Sequence, residues 1–475
     1  MESHIVSLID KEHENQDNGL LLNEYFQKKL GNGRMLVATR HGSWSILSLE
    51  QYEALRSGEF AKDKILCREL KEKGIILDEN SVHKIVDAFR ENYHCLADAR
   101  PLCIVYLTNR CNLNCEYCLS DTNDIDDADD LSYEMMEDII NFIAKMPHAH
   151  IALEFQGGET LLCFDMLKKF LLRFDERMKA AGKVVDSKVV VSNLTLMNEE
   201  IALFILKNNI GLCSSLDGPR ELHDANRKYP DGQGSYDAVM KGIDFFAKIG
   251  RKIPLMPTIT AESLKLDPKA IVDEYRKAGL DHIVLRPVCP IGRARSGSLL
   301  MEPKDYFEFW KKALDYMIAL SMDGNVFYDK TVQDMLVAIF TTRRQNMCMR
   351  RPCGAGINHF AFYLDGSIYA CDNGKKMDAF KLGNVCESSY EDVFLNTLQL
   401  RANTTEFQPL CDTCVYGAFC GSCMCKSYAR SGKVVPMTPM DFDCKINKMM
   451  FDHIFDKMDD PTYRTVFEMW VRLKA

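Results

Sequence analysis

The sequence predicts an α/β chain, with a partial (β/α)6 barrel between a small N-terminal α+β domain and a cysteine-rich C-terminal domain. Three observations carry this expectation. From residue 102 onward, short apolar runs alternate with longer amphipathic stretches, the pattern of repeated βα units rather than of separate sheets and bundles. The first hundred residues lack that alternation. The nineteen cysteines in 475 residues are mostly gathered into three groups.

In residues 1–95, stretches 34–38 and 44–47 read as short strands around the His41-Gly42 turn, followed by helices at 49–56, 60–73 and 82–92. Ser48 and Gln51 have the spacing of a capping box for the first of these helices. The barrel is expected over 100–300, with strands at 102–107, 150–155, 188–192, 210–216, 253–259 and 282–286. Helices at 132–145, 164–181, 198–207, 236–249 and 267–278 separate them, and Ser132 stands where it can cap the first, after the acidic run 124–130. Right-handed crossovers curl six such units into an incomplete barrel, whose chemistry belongs on the loops after the C-terminal ends of the strands. A helical linker (301–346), the cysteine-rich domain (347–448) with its Gly-rich turns, and a helical tail (449–475) complete the chain.

Composition excludes several classes. With 47% hydrophobic and 27% charged residues the chain can bury large cores, and a net charge of −9 argues against nucleic acid as a partner. Apolar stretches such as 102–107 and 201–206 are far shorter than the roughly 20 residues that span a bilayer, so no membrane partner is expected. The first residues lack a basic n-region and an apolar h-region, which points to a cytoplasmic location.

In a reduced compartment, dense thiols hold metal. Cys111, Cys115 and Cys118 form one knot on the loop after the first barrel strand. Three thiolates on one short loop suit a cubane with one open iron better than zinc, which favours paired C-x2-C hooks and four protein ligands. Cys348, Cys353 and Cys371 form a second group; Cys411, Cys414, Cys420, Cys423, Cys425 and Cys444 form a third. Cys67, Cys95, Cys103, Cys163, Cys213, Cys289 and Cys386 stand alone and read as small buried hydrophobes. His41, His94 and His223 have no evident partners and read as structural or surface histidines.

The C-x3-C-x2-C knot, with Tyr117 before its last cysteine, resembles the signature of the radical S-adenosylmethionine (SAM) enzymes. The resemblance extends over 102–448 and implies the radical SAM type of partial TIM barrel. Gly157, Gly158 and Glu159 match the GGE motif that holds the methionine amino group, the glycines allowing backbone to approach a ligand and the carboxylate pairing with an ammonium. Ser192 and the segment Ser215-Leu-Asp-Gly-Pro219, with His223, Asp224 and Arg227, are similar to peptide-modifying members. By that resemblance Ser192 and Ser215 bond the cofactor's ribose or carboxylate, and Arg227 pairs with the carboxylate. On the residues alone, these are equally capping and turn positions.

The C-terminal cysteines resemble the SPASM domain, which carries two auxiliary [4Fe–4S] clusters. Cys353, Gly366 and Cys371 fit its first part with twelve and four intervening residues, Cys411, Cys414 and Cys420 its second, and Cys444 closes it. The pattern departs after Cys420, where Met424 holds the expected position between Cys423 and Cys425; one of these two serves. The resemblance therefore implies a first auxiliary set of Cys348, Cys353, Cys371 and Cys423 or Cys425, and a second of Cys411, Cys414, Cys420 and Cys444. Asp372 stands where sulfatase-maturating relatives place a general base, although it also suits the turn before Asn373-Gly374.

These likenesses imply three [4Fe–4S] clusters, SAM as cosubstrate, and a reductant such as flavodoxin or ferredoxin. The reaction expected is hydrogen abstraction by a 5′-deoxyadenosyl radical, ending in a C–C, C–S or C–O crosslink in a ribosomal precursor peptide. The first 95 residues resemble the winged-helix-like modules that bind a peptide leader by adding a strand to an exposed edge. The nearest group is the B-type maturases of His-Xaa-Ser peptide systems. Peptide epimerisation, sulfatase-type oxidation of a protein Cys or Ser to formylglycine, and a non-catalytic iron–sulfur electron carrier are the alternatives.

Overall fold

The structure, a computed structural model, describes residues 20–474 apart from 79–80, 98–99, 123–128, 296, 342–347, 349–352, 402–408, 422 and 434–440. The side chains of His94 and Cys95, two of the positions singled out above, lie outside the described residues.

The barrel sheet is built from Leu102–Tyr106, His150–Gln156, Val184–Val191, Gly211–Ser215 and Leu255–Met256, all parallel and adjacent in chain order. The stretch expected at 253–259 is two short strands, Leu255–Met256 and Thr258–Ile259, and the second pairs in parallel with Arg286–Pro287. A further short parallel pair joins His282–Ile283 to Tyr328–Asp329. Helices Tyr133–Lys145, Phe164–Ala180, Glu199–Lys207, Tyr236–Ala247 and Pro268–Lys277 cover the outside, and Ser132 caps the first by accepting from Met135 N–H. Their buried stripes, such as Leu167, Phe170, Leu171, Phe174 and Met178, recur at helical spacing and meet Phe155 and Val190 from the sheet in one continuous core.

The barrel does not close on itself. Its free edge, the strand Leu102–Tyr106, is taken instead by His359–Phe362 from the cysteine-rich domain, in parallel register with Leu102 opposite His359 and Val105 opposite Phe362. Ser367–Tyr369 and Lys381–Asn384 follow antiparallel and complete an eight-stranded sheet. His359–Phe362 was not legible as a strand, because all four of its residues are buried and no apolar/polar alternation survives.

The N-terminal unit is a three-stranded antiparallel meander of Tyr25–Lys29, Met35–Thr39 and Trp44–Leu47. It is followed by Leu49–Ser57, Lys64–Glu72 and Ser81–Ala97, and the Ser48/Gln51 capping box is formed. Its middle strand is buried on both faces. Met35 and Val37 face the small domain's own core with Leu55, Leu66 and Leu70, while Leu36 and Ala38 join the main core. The unit docks on the C-terminal helix Phe442–Met458 and on Lys330–Phe340. Trp44 Nε1–H donates to Ile339 O at 2.8 Å and its ring meets Phe340 and Phe455, while Lys28 pairs with Asp452 at 2.5 Å. No helix among the described residues is long and apolar enough to cross a membrane.

Candidate active site

Cys111, Cys115 and Cys118 lie on the loop after Leu102–Tyr106, at the C-terminal end of the barrel strands. The loop is held by its neighbours' backbones. Gly158 N–H donates to Thr108 O and Glu159 N–H to Arg110 O, each at 2.9 Å. A Cβ at Gly158 would stand 2.0 Å from Arg110 O, and one at Gly157 2.6 Å from Thr108 O. The glycines therefore make room for this loop, where the sequence suggested room for a ligand.

From the other side, Gly292 has φ +66 and a Cβ there would stand 2.1 Å from Cys118 O. Beside it Arg293 donates from its backbone to Cys118 O at 3.0 Å and from its guanidinium to Cys115 O at 3.1 Å and Thr122 O at 2.9 Å. Sequence reasoning missed this clamp; the signal was a Pro-Ile-Gly-Arg turn directly after the sixth strand.

Glu159 is fully buried, and its carboxylate accepts from Leu161 N–H at 2.8 Å, Ser192 Oγ–H at 2.8 Å and Asn193 N–H at 2.7 Å. Burial raises its pKa and these bonds oppose the rise. The Glu159 carboxylate and the Ser192 hydroxyl tie the second strand's loop to the end of the third. Ser215 stands half-buried at the end of the fourth strand.

Arg227 stands beside the cysteine loop. Its Nε lies 3.3 Å from Oδ2 of Asp217, which is fully buried, its guanidinium covers the Tyr117 ring at 5.2 Å, and Nη1 reaches Cys115 Sγ at 4.0 Å. Asp217 accepts further from the Tyr117 hydroxyl, from Asn226 Nδ2 at 3.1 Å and from Thr258 N–H at 3.0 Å. The "Asp" of the matched segment is thus the hub that fixes Arg227 and Tyr117 beside the thiols. His223 accepts at Nδ1 from Asp217 N–H at 3.3 Å and stays neutral, burial pushing it down to about 4, so it is structural, as is buried His41.

The C-terminal thiols form two groups. Cys353 lies within electrostatic reach of Cys348, Cys423 and Cys371, and Cys348 of Cys423 and Cys371. Cys420 lies within reach of Cys414, Cys444 and Cys411, and accepts from Asn447 Nδ2 at 3.5 Å. Among the described residues no three ligating side chains close on a single metal ion; the ligands of a cubane bind separate irons and stand further apart. The three thiols at the barrel mouth fit a [4Fe–4S] cluster, and the C-terminal groups likewise offer sulfur only. Of the lone cysteines, Cys103, Cys163 and Cys289 are buried as expected and Cys67 and Cys213 are partly so, but Cys386 is exposed, with its thiol 3.6 Å from Asp138.

The register places Cys371 relative to the barrel. Tyr369 stands opposite Ala361, and Ala361 opposite Ile104, so the chain running on to Cys371 heads toward the start of the first strand, whereas Cys111 follows its end. A polar strip lies between. Tyr106 Oη–H donates to Gln156 at 2.8 Å and Gln156 Nε2–H to Glu154 at 2.6 Å. Lys375, buried and with no hydrogen-bond partner among the described residues, lies 4.9 Å over the Tyr106 ring. Burial pushes its pKa down to about 8, opposed by Asp372 and Cys118. Desolvation would raise the Asp372 carboxyl, but His359, Lys375 and Arg286 hold it below the usual carboxylate range.

A barrel open at one edge, with a three-thiol loop at its mouth, defines a radical SAM catalytic domain. Residues 105–267 match the Radical SAM superfamily model. Among its relatives, an uncharacterized protein of Archaeoglobus fulgidus is 27% identical over 78% of this chain and 84% of its own length. The cysteine-type anaerobic sulfatase-maturating enzyme of Clostridium perfringens is 23% identical over 73% of this chain and 94% of its own. The fold is shared with anSMEcpe with bound AdoMet (TM-score 0.66, 20% identity, 77% of this chain and all of that one). It is shared also with Streptococcus suis SuiB bound to precursor peptide SuiA (TM-score 0.52, 14% identity, 88% of this chain and 98% of that one).

Proposed function

We propose that the chain modifies a ribosomally made precursor peptide and closes an intramolecular C–C, C–S or C–O crosslink, using three [4Fe–4S] clusters and SAM. The observation that carries the reading is the placement of one thiol group at each end of the barrel interior, with the polar strip between them. Cys111, Cys115 and Cys118 would hold the cluster that, with SAM bound, would supply the radical that takes a substrate hydrogen. The substrate then loses one electron and one proton as the new bond closes. Cys348, Cys353, Cys371 and Cys423 or Cys425 would hold a cluster that gives the electron an exit toward an external acceptor, and Asp372, held below the usual carboxylate range beside Lys375 and Arg286, can accept the proton. Tyr106, Gln156, Glu154 and Lys375 orient the peptide and exclude water. A flavodoxin- or ferredoxin-type reductant starts each cycle.

The fold likeness to SuiB takes in more of this chain than that to anSMEcpe, which is matched over its whole length; this supports a peptide-recognition role for residues 1–95. The Trp44–Leu47 edge borders a cleft of about 630 Å³ walled by Ile339, Phe340, Met458 and Arg464. In that edge the pair Thr39–Ser43 is hydrogen-bonded, so by alternation the Ile46 N–H points outward, where a leader strand can take it. Oxidation of a protein Cys or Ser to formylglycine is the second reading, favoured by the sulfatase-maturating relatives.

The test is mass spectrometry of the short peptide encoded beside the enzyme after coexpression. A product lighter by two hydrogens supports the crosslink; unchanged mass with solvent deuterium at Cα indicates epimerisation, and activity on a sulfatase peptide indicates the second reading. Asp372→Asn should slow product formation more than SAM cleavage, and Ile46→Pro should weaken peptide modification alone.

A further inference from the structure

The sequence left Cys423 and Cys425 as alternatives for one auxiliary ligand, and the structure gives them different surroundings. Cys423 stands at the N-cap of the helix Met424–Ser431. Asn373 Nδ2 lies 3.9 Å from its sulfur. Cys425 sits in the first turn of the helix Met424–Ser431, 1% exposed, with its sulfur 3.6 Å from that of Cys371. Gly374 makes the space: a Cβ there would stand 3.2 Å from Cys425 Sγ.

A separation of 3.6 Å is hydrogen-bond range for sulfur. It is too close for two thiolates on neighbouring irons of a cubane, whose irons and bridging sulfides hold them further apart. Cys425 therefore approaches Cys371 as a partner of its sulfur.

We propose that Cys425 is a positioning residue: a protonated thiol that donates S–H to the Cys371 sulfur and raises the reduction potential of the cluster bound there, while Cys423 supplies the fourth ligand. Hydrogen bonds to the sulfurs stabilise the more negative, reduced cluster and so raise its potential. In the proposed reaction, on whose ligand set this inference rests, the substrate radical gives up one electron as its bond closes, and a cluster held by these thiols would be its acceptor. A thiol donor at Cys371 favours that direction of transfer. A buried donor is also the simplest reason for a second cysteine two residues after the ligand.

The test uses the full chain, reconstituted anaerobically, with Cys111, Cys115 and Cys118 changed to Ala so that only the auxiliary clusters contribute. Iron per chain and the midpoint potentials from an EPR-monitored redox titration are compared for Cys425→Ala, Cys425→Ser and Cys423→Ala. The inference expects Cys425→Ala to keep the parent's iron and to shift one midpoint potential negative. Cys425→Ser, whose hydroxyl still donates, should recover part of that shift, and Cys423→Ala should lose about half of the remaining iron. Unchanged potentials in both Cys425 variants at full iron overturn the hydrogen-bond role and leave the ligand set standing. Loss of half the iron in both Cys425 variants, with Cys423→Ala retaining it, overturns the ligand assignment as well.

Discussion

Changing Gly158 to Ala separates two accounts of the paired glycines. An added Cβ would meet the Arg110 carbonyl oxygen at 2.0 Å and Cys111 Cβ at 3.1 Å, against the 3.4 Å at which ordinary contact begins. The obstacle is backbone and cannot rotate away. The Gly158–Glu159 loop and the cysteine loop must part, straining the 2.9 Å bonds from Gly158 N–H to Thr108 O and from Glu159 N–H to Arg110 O. Overpacking of this kind costs ~1–3 kcal/mol, and each weakened hydrogen bond adds ~1 kcal/mol, so a loss of ~3–5 kcal/mol is expected. A displacement of about 1 Å at a reacting group costs on the order of 100-fold in rate. The assay is iron per chain after anaerobic reconstitution, with 5′-deoxyadenosine formation at saturating SAM. Gly158→Ala should lose most of the iron bound at Cys111, Cys115 and Cys118 and slow cleavage on the order of 100-fold or more. Gly157→Ala, meeting Thr108 O at 2.6 Å, should fall between it and the parent. A Gly158→Ala protein with full iron and only a raised KM for SAM would refute loop packing and restore the ligand-approach account.

Replacing Cys111, Cys115 and Cys118 together by Ala should remove about a third of the iron and all SAM cleavage, and unchanged iron would contradict a cluster at that loop. Asp217→Asn leaves buried Arg227 without its counter-charge and should destabilise by ~3–5 kcal/mol; a change in thermal unfolding worth less than ~1 kcal/mol would dismiss the hub. Asp329, fully buried at the N-cap of Lys330–Phe340, has its pKa raised by burial to about 6 from 3.8, despite bonds from Thr331, Val332 and Leu285. A carboxyl raised on folding favours the fold below its unfolded value and loses that contribution as pH climbs through about 6. Asp329→Asn should therefore gain stability relative to the parent by roughly 2–3 kcal/mol at about pH 7.5, the gap narrowing toward pH 5.5. A gap in Tm independent of pH would show that Asp329 does not titrate there.

The spacing of Cys111, Cys115 and Cys118 after a short apolar run was enough to locate the mouth of the barrel, because local chemistry and the βα alternation are both written along the chain. The helices were legible for the same reason: Ser132, Asn198 and Asp267 cap them where the amphipathic pattern begins. What Glu159, Ser192 and Arg227 do was not legible. Their partners Asn193 and Asp217 are near in sequence, but whether a buried charge meets protein or ligand depends on how loops from different strands close on one another. The strand His359–Phe362 was hidden because full burial erases the period that identifies a strand, and its pairing with Leu102–Tyr106, more than 250 residues earlier, is decided by which sheet edge is left open. That long-range pairing alone sets Cys371 and Asp372 at the far end of the barrel interior from Cys111. Sequence supplied the thiols and their groupings by spacing, while the tertiary structure decided which thiols face one another, since sulfur atoms brought together across loops carry no signature in their separation along the chain.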